Sequence, residues 1–161
     1  MNIDTVRTKL LQGLVIPACP LPLDQNRAWS ERHQRALTRY YVASGVGGIA
    51  VGVHSTQFAI RDPKLGLLEP VLESVSKELN SLASHAIVKI AGICGDKFQA
   101  INEAETALRF AYHAGLLSLT ALRGNEAFAV ACVGQAHNMR SGACHGVFVV
   151  AAKIGDQDHF G

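Results

Sequence analysis

Three consecutive hydrogen-bonding side chains, His54, Ser55 and Thr56, follow an apolar run that starts at Gly47, in the stretch VGVHSTQF. Hydroxyls and loop amides at such a place can grip a carboxylate or a phosphate, because free backbone N–H groups and the next helix N-terminus carry partial positive charge. The same residues would equally suit a solvated turn whose hydroxyls only satisfy nearby backbone groups. Lys153 closes a second apolar run, VFVVAAKI. A lysine at the end of a buried strand loses solvation, which favours the neutral, nucleophilic amine that Schiff-base chemistry needs; the alternative is a side chain that snorkels to water. Lys89 also lies within an apolar run.

Other constellations carry less chemistry. Cys132, His137, Cys144 and His145 match none of the usual paired zinc-ligand spacings, so no metal site is expected. Neither a glycine-rich phosphate loop nor a Ser, His and Asp arrangement stands out, which leaves hydrolase and nucleotidase chemistry without support. GVGG, from Gly45 to Gly48, follows a helical pattern and precedes a strand pattern, the reverse of a dinucleotide fingerprint. It reads as a helix C-cap followed by close packing. His33, His85 and His113 fall on helices or loop edges and read as surface residues.

The elements that must hold these residues alternate between short apolar runs and longer amphipathic segments, the rhythm of βαβ units around a parallel sheet. GLVIPAC, from Gly13 to Cys19, reads as a first strand and leads into a proline-rich loop. A helix follows, with Ser30 as N-cap, Leu37, Tyr40 and Tyr41 on one face and Gly45 at the left-handed C′ position. GGIAVGV is the second strand, apolar throughout as parallel strands covered on both faces are. Leu68, Leu72, Val75, Leu79 and Leu82 mark the next helix, with Pro70 in its first turn. AIVKIAGIC is the third strand. The helix after it has Asp96 as N-cap, Ile101, Ala104, Leu108 and Ala111 on one stripe, and Glu105 four residues before Arg109. LLSLTAL makes the fourth strand. Beyond Gly124 the rhythm fails, leaving at most one short helix, the strand-like VFVVAAKI and a polar tail.

Composition narrows the function classes. With 161 residues, 48% of them apolar and 17% charged, the chain suits one folded domain with a real core. A net charge of +2 with no basic stripe argues against nucleic acid as a partner. No secretory h-region or uninterrupted apolar span is present, so a cytoplasmic protein is expected, with no membrane partner. The four cysteines are scattered and mostly sit in apolar runs, as reduced, buried thiols do.

GLVIPACPLPLD, YYVASGVGGIAVGVHSTQFAI and INEAETALRFAYHAGLLSL together resemble the N-terminal half of the dihydrodipicolinate synthase and N-acetylneuraminate lyase family, over residues 10 to 123. The resemblance implies a (β/α)8 barrel that forms a Schiff base between a lysine and pyruvate or another 2-oxo acid, then makes or breaks a carbon–carbon bond, with no cofactor. The family loop carries two adjacent threonines, which match His54 and Ser55 here. Thr56 and Gln57 fall where a glycine and a glutamate usually stand. By resemblance, Ser55 and its neighbouring amides hold the 2-oxo acid carboxylate and join the proton relay, with His54 and Thr56 beside it as substrate-binding residues.

The departures are large. A complete barrel needs about 250 residues. The tyrosine that the family carries at the end of its fifth strand has no counterpart, since the last tyrosine is Tyr112. The family's lysine belongs to strand six, and VFVVAAKIGD arrives about twenty residues too early for it. The expectation is therefore an α/β fold, a partial (β/α)8 barrel of about four βα units over residues 1–124, with a divergent tail over 125–161 that holds a short helix and one strand. A truncated or frame-shifted gene would give such a tail, and Lys153 is its one candidate amine. Catalysis by this chain alone is expected to be impaired. The other reading is a non-catalytic half barrel that binds a small carboxylate or assembles with itself, since open sheet edges favour association into homo-oligomers.

Overall fold

The computed structural model describes residues 1–82 and 87–118, together with the backbone of 148–152. Among these residues, four helices and four strands run in the order α1 (Ile3–Gln12), α2 (Glu31–Ala43), β1 (Gly48–Val51), α3 (Leu68–Ser81), β2 (Val88–Ile93), α4 (Lys97–Arg109), β3 (Ala114–Ser118) and β4 (Phe148–Ala152). Two 3-10 turns, His54–Thr56 and Phe58–Arg61, separate β1 from α3.

Local chemistry starts and stops the helices where the sequence places it. The Ser30 side chain accepts from His33 N, and Asp96 accepts from Gln99 N at 2.9 Å. Gly45 takes φ 76 after α2, and Pro70 sits in the first turn of α3, where its missing N–H has no partner to lose. Helix α1 has no counterpart among the sequence expectations. Its only buried residue is Val6, so it shows almost no apolar stripe, yet Asn2 caps it through Thr5 N at 2.8 Å.

All four strands are parallel and lie in chain order. The expected first strand is present only as a ragged edge. Val15 O accepts from Gly47 N and Gly48 N, Pro17 O accepts from Ala50 N, and Cys19 N donates to Ala50 O, all between 2.8 and 3.3 Å. Pro17 has no N–H to return to β1, so this ladder shrinks to a single bridge, Ala18 with Ala50. The strand expected in VFVVAAKI forms as β4, in register with β3 from Ala114 opposite Phe148 to Ser118 opposite Ala152.

The sheet is apolar on both faces. Ile49, Val51 and Ala91 pack under α3 with Leu72, Val75 and Leu79. Ala50, Val88, Ile90 and Ala114 point the other way and meet Val6 of α1. Helix α4 lies on Ile93 and Leu117 through Ala100 and Ala104. A Cβ on Gly47 would stand 2.5 Å from the Leu14 side chain, and one on Gly48 would stand 3.0 Å from Val88 O, so the GVGG stretch does serve close packing. The sheet does not close on itself among the described residues, and the architecture is an open, partial (β/α)8 barrel. None of the described helices is long and apolar enough to cross a membrane.

Candidate functional site

Parallel strands put all their carboxyl ends on one side, which is where loops of βα units gather ligands. The loop after β1 is the longest described one there. Its two 3-10 turns join at Gln57, whose φ of 72 is unfavourable for any residue but glycine, on the order of 1 kcal/mol. Side chains fix it at both ends. Thr56 is fully buried, donating its hydroxyl to Cys19 O and accepting from Gly52 N at 3.0 Å. Arg61 donates through Nε to Glu103 Oε1 at 2.8 Å and through Nη2 to Gly92 O at 3.0 Å. Glu103 also accepts from Cys94 N at 3.1 Å and from Gln99 Nε2 at 2.8 Å.

Beside this loop opens a small cleft of about 60 Å³, walled among others by Gly52, His54, Phe58, Gly92, Leu116 and Ser118. That is room for several water-sized groups. The His54 ring packs edge-on against Phe58, with centroids 6.1 Å apart. The Arg61 guanidinium lies over the same Phe58 ring at 5.6 Å from its centroid.

The residues expected to bind substrate fall in three different places. His54 is exposed and forms part of the cleft wall. Ser55 is half-buried at the rim, outside that wall, and its hydroxyl makes no hydrogen bond among the described residues. Thr56 points inward, with its hydroxyl engaged both as donor and as acceptor. Lys153 lies outside the described residues, directly following Ala152, the β4 residue opposite Ser118. Cys132, His137, Cys144, His145 and His85 lie outside them too. No group of three or more His, Cys, Asp or Glu among the described residues could hold a metal ion. Phe58, Arg61, Gly92 and Ser118 escaped the sequence reading. Arg61 carried one signal, a charge closing the otherwise apolar turn FAIR.

Buried polar groups behind the sheet show what is structural. Cys19 and Cys94 are free thiols, and burial pushes Cys19 up to about 11 while Gln34 donates to its sulfur, so it is chemically inert. Lys89 points away from the cleft toward α3, where Nζ donates to Ser76 Oγ at 3.0 Å and Asn80 Oδ1 at 3.2 Å, and burial lowers its pKa. His113, read from the sequence as a surface residue, is half-buried. Its N donates to Lys89 O at 2.9 Å and its Nδ1 accepts from Lys89 N at 3.0 Å, so the ring closes the start of the β2–β3 ladder.

The acceptor role of Nδ1 requires a neutral ring, and burial, the Lys89 amine and the residue 1 amino group hold His113 at about 4 against 6.5. Between those values the unfolded chain binds a proton that the folded chain does not, so stability should fall as pH drops through that window. His113→Asn, whose Oδ1 can replace Nδ1 as acceptor, should flatten that part of the curve in urea unfolding. An equally steep loss in this variant would assign the effect to other groups.

No protein-family model matches the chain, and no curated protein matches it in sequence. Solved structures do match. A Pseudomonas aeruginosa protein provisionally identified as a dihydrodipicolinate synthetase aligns at TM-score 0.68 and 16% identity, over 84% of this chain and 44% of that one. N-acetylneuraminate lyase from Mycoplasma synoviae aligns at TM-score 0.56 and 16% identity, over 65% and 34%. A catalytic lysine mutant of the Ruminococcus gnavus sialic acid aldolase aligns at TM-score 0.52 and 22% identity, over 65% and 33%. At these identities the likeness is one of fold. The chain spans less than half the length of each of these proteins, as a partial barrel does.

Proposed function

We propose that the chain carries the 2-oxo acid half of a dihydrodipicolinate synthase or N-acetylneuraminate lyase type site, acting in the cytoplasm on a small molecule. The observation that carries this reading is the rim of the cleft. A Ser55 hydroxyl with no hydrogen bond among the described residues and an exposed His54 stand at the carboxyl end of β1, on a fold shared with lyases of that class. Short hydroxyls and loop amides suit a planar carboxylate, and the apolar walls suit the methyl or methylene group beside the oxo carbon. Class I chemistry further requires an amine that attacks the oxo carbon and expels water to form the imine. Lys153, at the end of the β4 run, is the residue proposed for it.

Incubation with pyruvate and borohydride, followed by intact mass and peptide mapping, tests the chemical step. An adduct on Lys153 supports it, and no adduct at any lysine sinks it for this chain. Ser55→Ala tests the carboxylate grip: pyruvate affinity by calorimetry should fall about tenfold, the worth of one hydrogen bond to a charged acceptor. Unchanged affinity removes Ser55 from the site.

The open sheet favours a second reading, in which a non-catalytic half barrel binds a small carboxylate or assembles with itself. Pyruvate binding that depends on Ser55 without any covalent adduct selects that reading.

A further inference from the structure

The turn Phe58–Arg61 ends on an almost wholly enclosed guanidinium, with 8% of its side chain exposed. Arginine stays charged in proteins, so its enclosure demands fixed acceptors. Nε meets Glu103 of α4 and Nη2 meets the carbonyl of Gly92 in β2, while Nη1 is buried with no partner among the described residues. One side chain thus joins the loop after β1 to the next strand and to the helix that follows it. The loop needs such a tie. Its two 3-10 segments are single short turns, and Gln57, Phe58 and Ala59 are exposed, so the backbone alone does not fix the Phe58 ring. That ring is held instead between the edge of His54 and the guanidinium face.

Stability alone accounts poorly for this arrangement. A buried ion pair is seldom more stabilising than apolar residues of the same size. Phe58 is still 43% exposed, so stacking on it adds little to the core. What the contacts do fix is the direction of two cleft-wall side chains, Phe58 and His54. We propose that Arg61, anchored by Glu103, is a positioning residue that holds the Phe58–His54 wall in the shape the ligand meets. The inference rests on the 2-oxo acid reading for the identity of the ligand only.

Arg61→Lys keeps the charge but loses the planar fork that spans Glu103 and Gly92 O and lies over the ring. Without ligand, amide hydrogen exchange across residues 54–61, read by mass spectrometry, should speed up about tenfold while α3 keeps its rates. Pyruvate affinity should fall about tenfold as well. Phe58→Leu should lower affinity by a similar factor, and the double variant should lose no more than either single one, because Arg61 acts through the ring. Unchanged exchange in Arg61→Lys, or additive losses in the double variant, overturns the proposal. Should Arg61→Lys not fold, Glu103→Gln, which keeps an acceptor for Nε, takes its place in the same comparison. A wild-type chain that binds no pyruvate removes the 2-oxo acid reading, while the exchange comparison still decides the positioning role.

Discussion

Replacing Glu103 by alanine is expected to cost about 3–5 kcal/mol, the range for removing one partner of a buried ion pair. Only 7% of its side chain reaches solvent, and the carboxylate accepts from Arg61 Nε, Gln99 Nε2 and Cys94 N. Alanine would leave Arg61 charged in a site that is 8% exposed, since a guanidinium does not release its proton. The Cys94 amide would lose its acceptor at the same time. Glu78 supplies the contrast. It too is enclosed and bridges two arginines, Arg35 and Arg39, at 2.6 Å each, but those arginines are 51% and 48% exposed. On losing Glu78 they return to water, so Glu78→Ala should be much the milder change. Urea unfolding of the two variants side by side decides the point. Equal losses would mean that the enclosure of Arg61 does not set the cost.

What the sequence disclosed follows from the range of the forces involved. Ser30, Asp96 and Gly45 act within one helical turn, and their capping roles are visible in neighbouring residues. The buried strands are visible because every residue in β1 and β2 must be compatible with an interior. Of the stripe expected on helix α4 only Ala104 is buried. The buried face is Ala100, Glu103, Ala104 and Ala107, while the larger Ile101 and Leu108 are half-buried and Ala111 is exposed beyond the helix end. A helix that lies close on a sheet selects small side chains at the contact line, and weighting by hydrophobic size looks past them. In α2 the buried residues are Gln34 and Thr38, which hydrogen-bond to Cys19 and to the helix backbone, so no apolar periodicity could reveal them. The site shows the same division. That His54 and Ser55 stand at the carboxyl edge of the sheet follows from strand order alone. That Thr56 turns inward depends on Cys19, 37 residues away, and the anchoring of Arg61 depends on Glu103, 42 away. Neither partner is signalled by spacing.

Gly92→Ala should be the other strongly destabilising change, about 3 kcal/mol at the upper end of overpacking. A Cβ there would lie 2.6 Å from the carbonyl carbon of Gly52 and 2.9 Å from Val53 N, with Gly52 O closer still. All three are backbone atoms, so no rotamer change relieves the clash and the ends of β1 and β2 must part. Parting them moves Gly92 O away from Arg61 and opens the cleft between Gly52 and Gly92, so ligand binding should fail together with stability. Gly66→Ala separates crowding from backbone preference. Gly66 has a left-handed φ of 57 and only Pro63 O, at 4.0 Å, near its would-be Cβ. Its loss should stay near 1 kcal/mol, the conformational penalty alone. Because alanine also restricts the unfolded chain, either variant gains back a few tenths to about 1 kcal/mol, which leaves the difference between them as the informative quantity. A Gly92→Ala chain as stable as Gly66→Ala would show that the strand ends can separate freely, and the close approach of β1 and β2 could then not be what shapes the cleft.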